Sequence, residues 1–488
     1  MKQVKQPTFL DALIPIGVLV CLLGAAVYLF GDNSSSGPNQ IALLFATFTA
    51  ALIGLKNGYT WKTLEEAMIK GITISLGAIL ILLMVGALIG TWLLSGTVPT
   101  LIYYGLQIID PQWFYAASCL ICGIVAMSIG SSWTTAATIG VALLGVATGL
   151  GLDHVVTAGA VISGAYFGDK LSPLSETTNL APAVAGADLF EHIQHMLWTT
   201  VPSFVIALII FLFMGFNADV SSEAHQIDAI VSILQSHFNI NLAMLVPLIV
   251  LLALAIKKMP AFPAISIGAV LGAIWALLFQ GDLIATQIDK SQGELIGHFK
   301  LVWQTFFAGF SVETGDSKMN SLLSGGGMAS MLTTTWLVMT ALMFGAIMEK
   351  TGLLEMFVKS ILKIARSTGS LITATIATCI GTNAVAADQY IAIVVPGRMF
   401  KEEYQKRGLK SVNLSRTLED GGTITSPLIP WNTCGAYMQS VLMVNPFDYA
   451  VYAFFNLINP ILAVIYAYLG VKILRIKPKQ PVEAPAAQ

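Results

Sequence analysis

Eight uninterrupted apolar runs dominate the chain, and each approaches or reaches the length needed to cross a lipid bilayer. About 20 consecutive apolar residues span the hydrocarbon core. The runs cover residues 9–30, 39–55, 72–94, 197–216, 241–256, 262–280, 332–348 and 449–469. Only 11% of the 488 residues are charged, whereas a soluble domain carries about 25%. We therefore expect an all-α polytopic membrane protein with about ten transmembrane helices.

Composition also excludes several other classes of protein. A formal net charge of −2 provides no basic field for nucleic acid. The five cysteines lie in apolar segments and form no disulfide framework, so we interpret them as buried structural residues. The first apolar run, 9–30, is too long for a signal-peptide core and lacks a small-residue cleavage site, so we expect it to remain as a helix.

Four further apolar stretches are interrupted by Gly, Pro and polar residues, and these cover 113–150, 154–186, 371–396 and 417–443. In hydrocarbon, unpaired backbone is tolerated only where protein or a water-filled cavity surrounds it. The loops rich in Lys and Arg are expected on the cytoplasmic side. Both termini are then cytoplasmic in the inner membrane, 113–150 is an outward-opening re-entrant hairpin, and 371–396 is an inward-opening one.

Three short motifs recur at a nearly constant separation in the two halves of the chain. Ser95-Gly96 resembles Thr351-Gly352, Gly130-Ser131-Ser132 resembles Gly381-Thr382-Asn383, and Ser172-Pro173-Leu174 matches Ser426-Pro427-Leu428. We therefore expect two inverted repeats, 1–216 and 241–474, joined by an external loop at 217–240 and followed by a cytoplasmic tail at 475–488. Paired inverted repeats with interrupted helices at matching positions point to the binding site of a secondary transporter.

Hydroxyl and amide side chains concentrate at the interruptions. These are the predicted tips of the two hairpins and the breaks in two further helices, 154–186 and 417–443. Oxygen-rich clusters of this kind suit a hard cation that must replace its hydration shell. The structural alternative is that each side chain bonds to its own backbone or to a neighbouring helix. The candidate ion- or substrate-binding residues are Ser131, Ser132, Thr177, Thr178, Asn179, Thr382, Asn383, Asn432 and Thr433.

Three carboxyl groups near the interruptions are candidate carriers of a proton or cation: Asp388, Glu176 and Asp169. An unpaired carboxylate inside the membrane is costly, so such a group either is protonated or holds a cation. The alternative for Asp169 is a local ion pair with Lys170. Glu419 and Asp420 follow Arg416, and we interpret them as members of interfacial salt bridges.

Two of these motifs resemble signatures of the NhaC family of Na⁺/H⁺ antiporters. The first is the run GDKLSPLSETTNLAP at 168–182, and the second is PWNTCG at 430–435. One residue departs from the family pattern, because Glu176 stands where Asp is expected. The resemblance implies the fold of the wider ion transporter superfamily, with inverted repeats and two re-entrant hairpins. It also implies a range of substrates, since the family includes exchangers of malate and lactate.

These observations favour a secondary active transporter that exchanges Na⁺ for H⁺ by alternating access, with Na⁺ bound at the same residues and no resident cofactor. The alternative is a Na⁺- or H⁺-coupled transporter of a small organic acid or amino acid. An enzyme is disfavoured because no His-rich metal site, nucleophile elbow or phosphate loop occurs. A channel is disfavoured because two broken-helix repeats favour alternating access. The expected partners are the transported ions and lipid, and a homodimer is left open.

Overall fold

The computed structural model describes residues 4–217, 224–288, 293–362 and 365–476, and this part of the chain is almost entirely helical. The first-half helices are α1 (Phe9–Phe30), α2 (Pro38–Lys56), α3 (Trp61–Leu94), α4 (Thr97–Ile108), α5 (Phe114–Ile129), α6 (Ser132–Thr135), α7 (Val141–Gly149), α8 (His154–Leu171), α9 (Glu176–Ala185) and α10 (Leu189–Phe216). Of the predicted cytoplasmic tail, 475–488, the residues beyond position 476 lie outside the described part of the chain.

The remaining helices are α11 (Ala224–His237), α12 (Val246–Ile256), α13 (Ala261–Phe279), α14 (Gly281–Gln287), α15 (Glu294–Ala308), α16 (Ser317–Leu322), α17 (Leu332–Lys350), α18 (Leu353–Leu362), α19 (Thr368–Ala386), α20 (Gln389–Lys406), α21 (Ser411–Leu418), α22 (Thr433–Leu442), α23 (Pro446–Tyr449) and α24 (Phe454–Leu469). Within the described ranges, β-pairing is limited to two isolated bridges, Phe310–Gly325 and Leu409–Arg475.

All eight predicted apolar runs form helices, namely α1, α2, α3, α10, α12, α13, α17 and α24. Among the described residues, nine helices are long and apolar enough to cross a membrane, and two bent pairs raise this number to eleven. The 34 residues of α3 extend about 51 Å, which exceeds the thickness of the hydrocarbon core. The prediction of an all-α polytopic membrane protein is confirmed.

The outer surface of the bundle carries large apolar side chains that only lipid can cover. Val20 is 62% exposed, Phe213 65%, Leu278 65% and Ile461 59%. A soluble protein rarely exposes apolar patches of this extent, because such patches drive association in water. The chain is therefore a multi-pass membrane protein.

The first interrupted stretch forms a helical hairpin whose tip is at Gly130-Ser131. Gly164 of α8 lies against Cys119 of α5, and Gly168 lies against Gly123, so α5 and α8 run in the same direction. The return arm, α6 with α7, leads back to the start of α8. Gly130 has φ 76°, a left-handed conformation that glycine adopts readily, and Ser131 caps α6 by accepting from Thr134 N.

The second hairpin consists of α19 and α20, and its tip differs from the predicted one. Gly381, Thr382 and Asn383 lie inside α19, and the chain turns four to five residues after Asn383, at Ala387-Asp388. Ala387 has φ 55°, a conformation that non-glycine residues rarely adopt. The prediction was wrong because a glycine that interrupts an apolar run suggests a turn, yet a helix tolerates it at about 1 kcal/mol.

The two broken helices also end and restart at defined caps. In the first, α8 stops at Leu171 and α9 restarts after Ser175, whose side chain accepts from Thr178 N. In the second, α21 continues through a π-helical segment, Glu419–Thr423, before the chain breaks and α22 restarts after its cap Asn432. The predicted breaks at Pro173 and Pro427 therefore occur, although the second is longer than the first.

Each broken helix packs on the hairpin from the other half of the chain. α9 runs along α20, with Val184 of α9 against Gly397 of α20. α22 runs along the return arm of the first hairpin, where the rings of Trp133 and Tyr437 stack with centroids 4.0 Å apart. The two hairpin tips and the two helix breaks are thereby brought to one region.

Candidate functional site

A cavity of about 690 Å³ lies where the first hairpin tip, the first helix break and the second hairpin tip meet. Side chains from α3, α13 and α17 close its other walls. The predicted site residues that line it are Ser131, Ser132, Asp169, Glu176, Thr177, Asp388 and Thr433. Both halves of the chain therefore contribute to one polar cavity.

Asp169 is held at the end of α8 by the tip of the first hairpin. Its Oδ2 atom accepts from Ser132 N at 3.1 Å and from the Ser132 hydroxyl at 2.7 Å. The residue is 8% exposed, and Oδ1 makes no hydrogen bond of normal geometry although the Ser175 hydroxyl lies near it. One carboxyl oxygen is therefore anchored, and the other is available to a proton or cation.

Asp388 has an equivalent arrangement at the tip of the second hairpin. As the N-cap of α20, its Oδ1 atom accepts from Tyr390 N at 2.9 Å and from Ile391 N at 3.0 Å. The residue is 5% exposed. Among the described residues, the hydrogen bonds of normal geometry to this carboxyl are the two that Oδ1 accepts, and the residue lines the cavity. The Thr433 hydroxyl of the second helix break lies beside the same carboxyl.

Glu176 is the third carboxyl of the cavity and, unlike the two aspartates, it is exposed. The phenol of Tyr390 donates to its Oε2 atom at 2.5 Å. This contact connects the first turn of α9 to the first turn of α20. Tyr390 also donates its backbone N–H to Asp388, so one residue contacts two of the three carboxyl groups.

The cavity hydroxyls lie at helix starts, where the first backbone N–H groups lack helical partners. Ser131 accepts from the Thr134 hydroxyl at 3.0 Å, and Thr177 shares a 3.2 Å hydrogen bond with Ser175. Thr433 donates its N–H to Ala387 O at 2.9 Å, which fixes the second helix break against the second hairpin tip.

Five predicted site residues do not line the cavity. Thr178 donates to Lys170 O at 3.0 Å, and Asn179 donates to Pro173 O and Ser175 O across the first break. Asn432 donates to Asn383 Oδ1 at 3.1 Å, while Asn383 donates to Gly422 O and Thr425. The Thr382 hydroxyl is buried and has no hydrogen-bond partner among the described residues. In this conformation, the hydrogen bonds of Thr178, Asn179, Asn383 and Asn432 are structural, because they maintain the two helix breaks.

Of two alternatives considered for the charged residues, one is wrong and the other is correct in part. Lys170 does not pair with Asp169, because neighbouring residues on a helix point about 100° apart; its Nζ instead contacts Asp420. Asp420 forms the expected salt bridge with Arg416, whose Nε lies 4.0 Å from Asp420 Oδ2. Both Glu419 and Asp420 are fully buried within the protein, and among the described residues the Glu419 carboxyl has no hydrogen-bond partner. Their position follows from the π-helical segment, which lies inside the bundle against α19 and α20.

Sequence reasoning missed Tyr390, Ser175 and Lys258, all of which line the cavity. Ser175 carries a detectable signal, since a serine after a Pro-containing break is a favoured N-cap. Lys258 follows α12 in a turn with φ 64°, and nothing near it in sequence relates it to the site. Tyr390 is two residues from Asp388, but its contact with Glu176 spans 214 positions.

The donor set of the cavity suits a monovalent hard cation. Within the described residues, no three Asp, Glu, His or Cys side chains converge to form a metal site. A cation held by Asp169 or Asp388 would therefore take its remaining ligands from hydroxyl, carbonyl or water oxygens, which are the ligands that hard cations prefer.

Comparison with known proteins places the chain among antiporters. It is 40% identical over 471 residues to "Na(+)/H(+) antiporter NhaC" of Alkalihalophilus pseudofirmus, covering 96% of this chain and 97% of that protein. It is 38% identical to "Malate-2H(+)/Na(+)-lactate antiporter" of Bacillus subtilis, covering 96% of each. It is 36% identical to "Arginine/ornithine antiporter ArcD" of Halobacterium salinarum, covering 99% of this chain and 95% of that one.

The sequence profile described as the Na⁺/H⁺ antiporter family matches residues 164–471, which contain the first helix break, the second hairpin and the second helix break. This match covers more than half of the chain, and the resemblance noted from the two short motifs is thereby confirmed. The chain belongs to the Na⁺/H⁺ antiporter family.

Proposed function

We propose that this protein exchanges Na⁺ for H⁺ across the cell membrane and that both ions bind at the carboxyl groups of the cavity. The observation that carries the proposal is the shared geometry of Asp169 and Asp388. Each carboxyl is buried and lines the same cavity, each uses one oxygen to accept two hydrogen bonds, and each has a hydroxyl group beside it, that of Ser175 or of Thr433. In this proposal Na⁺ and H⁺ are cargo and not resident cofactors.

Exchange follows from the cost of an unpaired charge at these positions. A buried carboxylate without a counterion is unfavourable, so its free oxygen binds either a proton or Na⁺. The two occupants exclude each other because they neutralise the same charge. Neighbouring hydroxyls such as Ser132, Thr177 and Thr433 supply further oxygens when Na⁺ is bound. If the cavity then opens alternately to each side of the membrane, the result is coupled antiport.

The membrane orientation is part of this proposal. We infer an inner-membrane protein with both termini in the cytoplasm and two inverted repeats. Equivalent features at a nearly constant separation support the repeats. The left-handed glycines Gly96 and Gly352 are 256 residues apart. The hairpin caps Ser131 and Asp388, and the caps after the helix breaks, Ser175 and Asn432, are each 257 residues apart. Lys258, which is exposed and lines the cavity, belongs to a predicted cytoplasmic loop, so the cavity opens inward in this conformation.

The direct test uses the purified protein in liposomes that contain a pH-sensitive dye. An outward Na⁺ gradient should drive protons into the lumen, and an inward gradient should drive them out, because the two fluxes are coupled in opposite directions. K⁺ and Li⁺ gradients serve as selectivity arms. Liposomes containing an Asp169→Asn, Asp388→Asn double variant are the matched control. A wild-type protein that moves no protons in any Na⁺ gradient would refute the proposal.

A second candidate function is the exchange of a small organic acid or amino acid together with one of these ions. The observation that favours it is the size of the cavity, since about 690 Å³ falls in the range of pockets that hold organic ligands. Lys258 could pair with the carboxylate of such a ligand. Radiolabelled lactate, malate and arginine, each added to the same liposomes, distinguish the two functions. Uptake that depends on a Na⁺ or H⁺ gradient would establish the second.

A further inference from the structure

A second pocket, of about 460 Å³, lies where α24 ends and α19 begins, and we call it the α19–α24 pocket. It shares no lining residue with the first cavity. Ser367 and Thr368 line one side, and the other side includes Tyr468, Leu469 and Arg475. Among the described residues of the lining, Arg475 carries the positive charge and none is acidic. The pocket therefore has a net positive charge.

The backbone of Arg475 is fixed, whereas its side chain is available to a ligand. Arg475 forms an isolated bridge with Leu409, and the next residue, Ile476, donates its N–H to Gly408 O at 2.8 Å. Within the described ranges, the Arg475 guanidinium makes no hydrogen bond or ion pair with the protein. A guanidinium presents several N–H donors in a planar arrangement that matches the oxygens of a phosphate group.

A second arginine stands beside the pocket, but its donors are already used. Arg407 donates to Ser367 O at 2.8 Å and to Ala365 O at 2.6 Å. Its guanidinium also pairs with Glu403 at 2.8 Å. These contacts fix the Ser367 side of the pocket and balance the charge of Arg407. The positive charge that a ligand meets is therefore that of Arg475.

A stripe of exposed apolar side chains leads along α24 to the pocket. Ile461, Ile465, Tyr468 and Leu469 occupy positions i, i+4, i+7 and i+8, which share one face of a helix. All four are exposed, Tyr468 by 63% and Leu469 by 71%. Tyrosine is enriched at the level of lipid headgroups. Lipid chains that cover this α24 stripe therefore end at the α19–α24 pocket.

We propose that the α19–α24 pocket binds the headgroup of an anionic phospholipid, whose phosphate pairs with Arg475 and whose acyl chains lie along the α24 stripe. Basic pockets between membrane helices recognise headgroups of this kind. A zwitterionic lipid fits less well, because no carboxylate stands among the described residues of the lining to pair with its amine.

A bound headgroup connects two segments of the chain. Arg475 follows α24, and Ser367 is the N-cap of α19, so one phosphate in the pocket lies against both segments. A ligand that binds only the folded protein stabilises it by mass action. Occupation of the pocket should therefore raise the melting temperature, whatever ion the protein transports.

Thermal unfolding of the purified full-length protein in dodecyl maltoside tests this proposal. Increasing mole fractions of dioleoylphosphatidylglycerol should raise the melting temperature of the wild type, whereas dioleoylphosphatidylcholine, with the same acyl chains, should have little effect. Arg475→Gln should need about tenfold more phosphatidylglycerol for the same rise, because it removes a charge-assisted contact. Arg475→Lys keeps the charge and should need less lipid than Arg475→Gln.

The matched control is Lys62→Gln, which removes an exposed positive charge outside the pocket. This variant should respond to phosphatidylglycerol as the wild type does. Arg475→Gln should fold, since the Arg475 side chain is exposed and makes no hydrogen bond within the described ranges.

The other possible results overturn the proposal. Equal responses of the wild type and Arg475→Gln would show that the lipid acts elsewhere, and an equal effect of phosphatidylcholine would show that the headgroup charge is not recognised. Inorganic phosphate that stabilises the wild type as strongly as phosphatidylglycerol would assign the pocket to a free anion. A molar mass that changes in Arg475→Gln, measured by light scattering, would assign it to a second copy of the chain. None of these measurements uses Na⁺, so the proposed ion exchange is tested separately.

Discussion

The phenol of Tyr390 donates a hydrogen bond to the carboxylate of Glu176 at 2.5 Å, across the cavity from one half of the chain to the other. Tyr390 follows the tip of the second hairpin, and Glu176 begins the helix after the first break. This contact therefore joins two of the elements that would have to move relative to each other if the cavity changed its opening.

Tyr390→Phe removes this hydrogen bond and retains the ring. We expect transport to persist, but the Na⁺ concentration that gives half-maximal rate should rise by up to about tenfold. A hydrogen bond to a charged group contributes about 1.5–3 kcal/mol, and the exposure of Glu176 weakens this bond. Proton flux in liposomes at a series of Na⁺ concentrations gives this value. Tyr28→Phe, at an 89% exposed tyrosine, is the control. An unchanged Na⁺ dependence in Tyr390→Phe would show that the contact has no part in transport.

Asp388→Asn should abolish Na⁺/H⁺ exchange without loss of folding. Asn is as good an N-cap as Asp, so the hydrogen bonds from Tyr390 N and Ile391 N remain, but the side chain can no longer exchange a proton for Na⁺. The control is Asp188→Asn, because Asp188 caps α10 in the same way at an exposed position. Normal Na⁺-driven proton flux in Asp388→Asn would remove this residue from the mechanism and leave Asp169 and Glu176.

Ser132→Ala should weaken Na⁺ binding. The hydroxyl of Ser132 donates to Asp169 Oδ2 at 2.7 Å, and losing a hydrogen bond to a charged group costs about 1.5–3 kcal/mol. We expect an increase of about tenfold or more in the Na⁺ dissociation constant, measured by calorimetry. Ser128→Ala removes an exposed hydroxyl from α5 that donates to Ile124 O, and should leave binding unchanged. Equal dissociation constants in the two variants would contradict the prediction.

Asn432→Ala tests whether this residue maintains the helix break or contacts the ion. Asn432 caps α22 by accepting from Cys434 N at 3.0 Å, and removing an N-cap costs about 1 kcal/mol. We expect a lower melting temperature together with lower transport activity. Asn432→Ser, which keeps a capping oxygen, should recover most of the stability. If the recovered variant still does not transport Na⁺, Asn432 has a direct role that the present geometry does not explain.

Lys170→Met should be among the most destabilising single substitutions in the chain. It leaves Asp420 buried without its partner, and breaking a buried ion pair in this way costs about 3–5 kcal/mol. Lys359→Met breaks an exposed pair with Glu355 and should cost no more than about 0.5 kcal/mol. Unfolding of both variants in detergent provides the comparison. Similar stabilities would mean that the Lys170–Asp420 contact is not maintained in the protein.

The sequence predicts the helices well because an apolar run of membrane length has few alternatives to a helix. It also predicts the two breaks, since Pro173 and Pro427 remove backbone donors within apolar segments. It does not predict the turn at Ala387-Asp388, because alanine carries no signal for a left-handed conformation. Nor does it predict the Lys170–Asp420 pair, whose members are 250 residues apart and whose local neighbours offered other partners.

The packing of α9 on α20 and of α22 on the first hairpin has a consequence for how the molecule can be divided. Each half of the polypeptide packs its broken helix on the hairpin of the other half, so a boundary drawn in the sequence is not a boundary in space. Neither half alone encloses the cavity. If a rigid unit moves during transport, it therefore contains pieces of both halves. Two separately expressed halves would have to pack together before either could form the cavity.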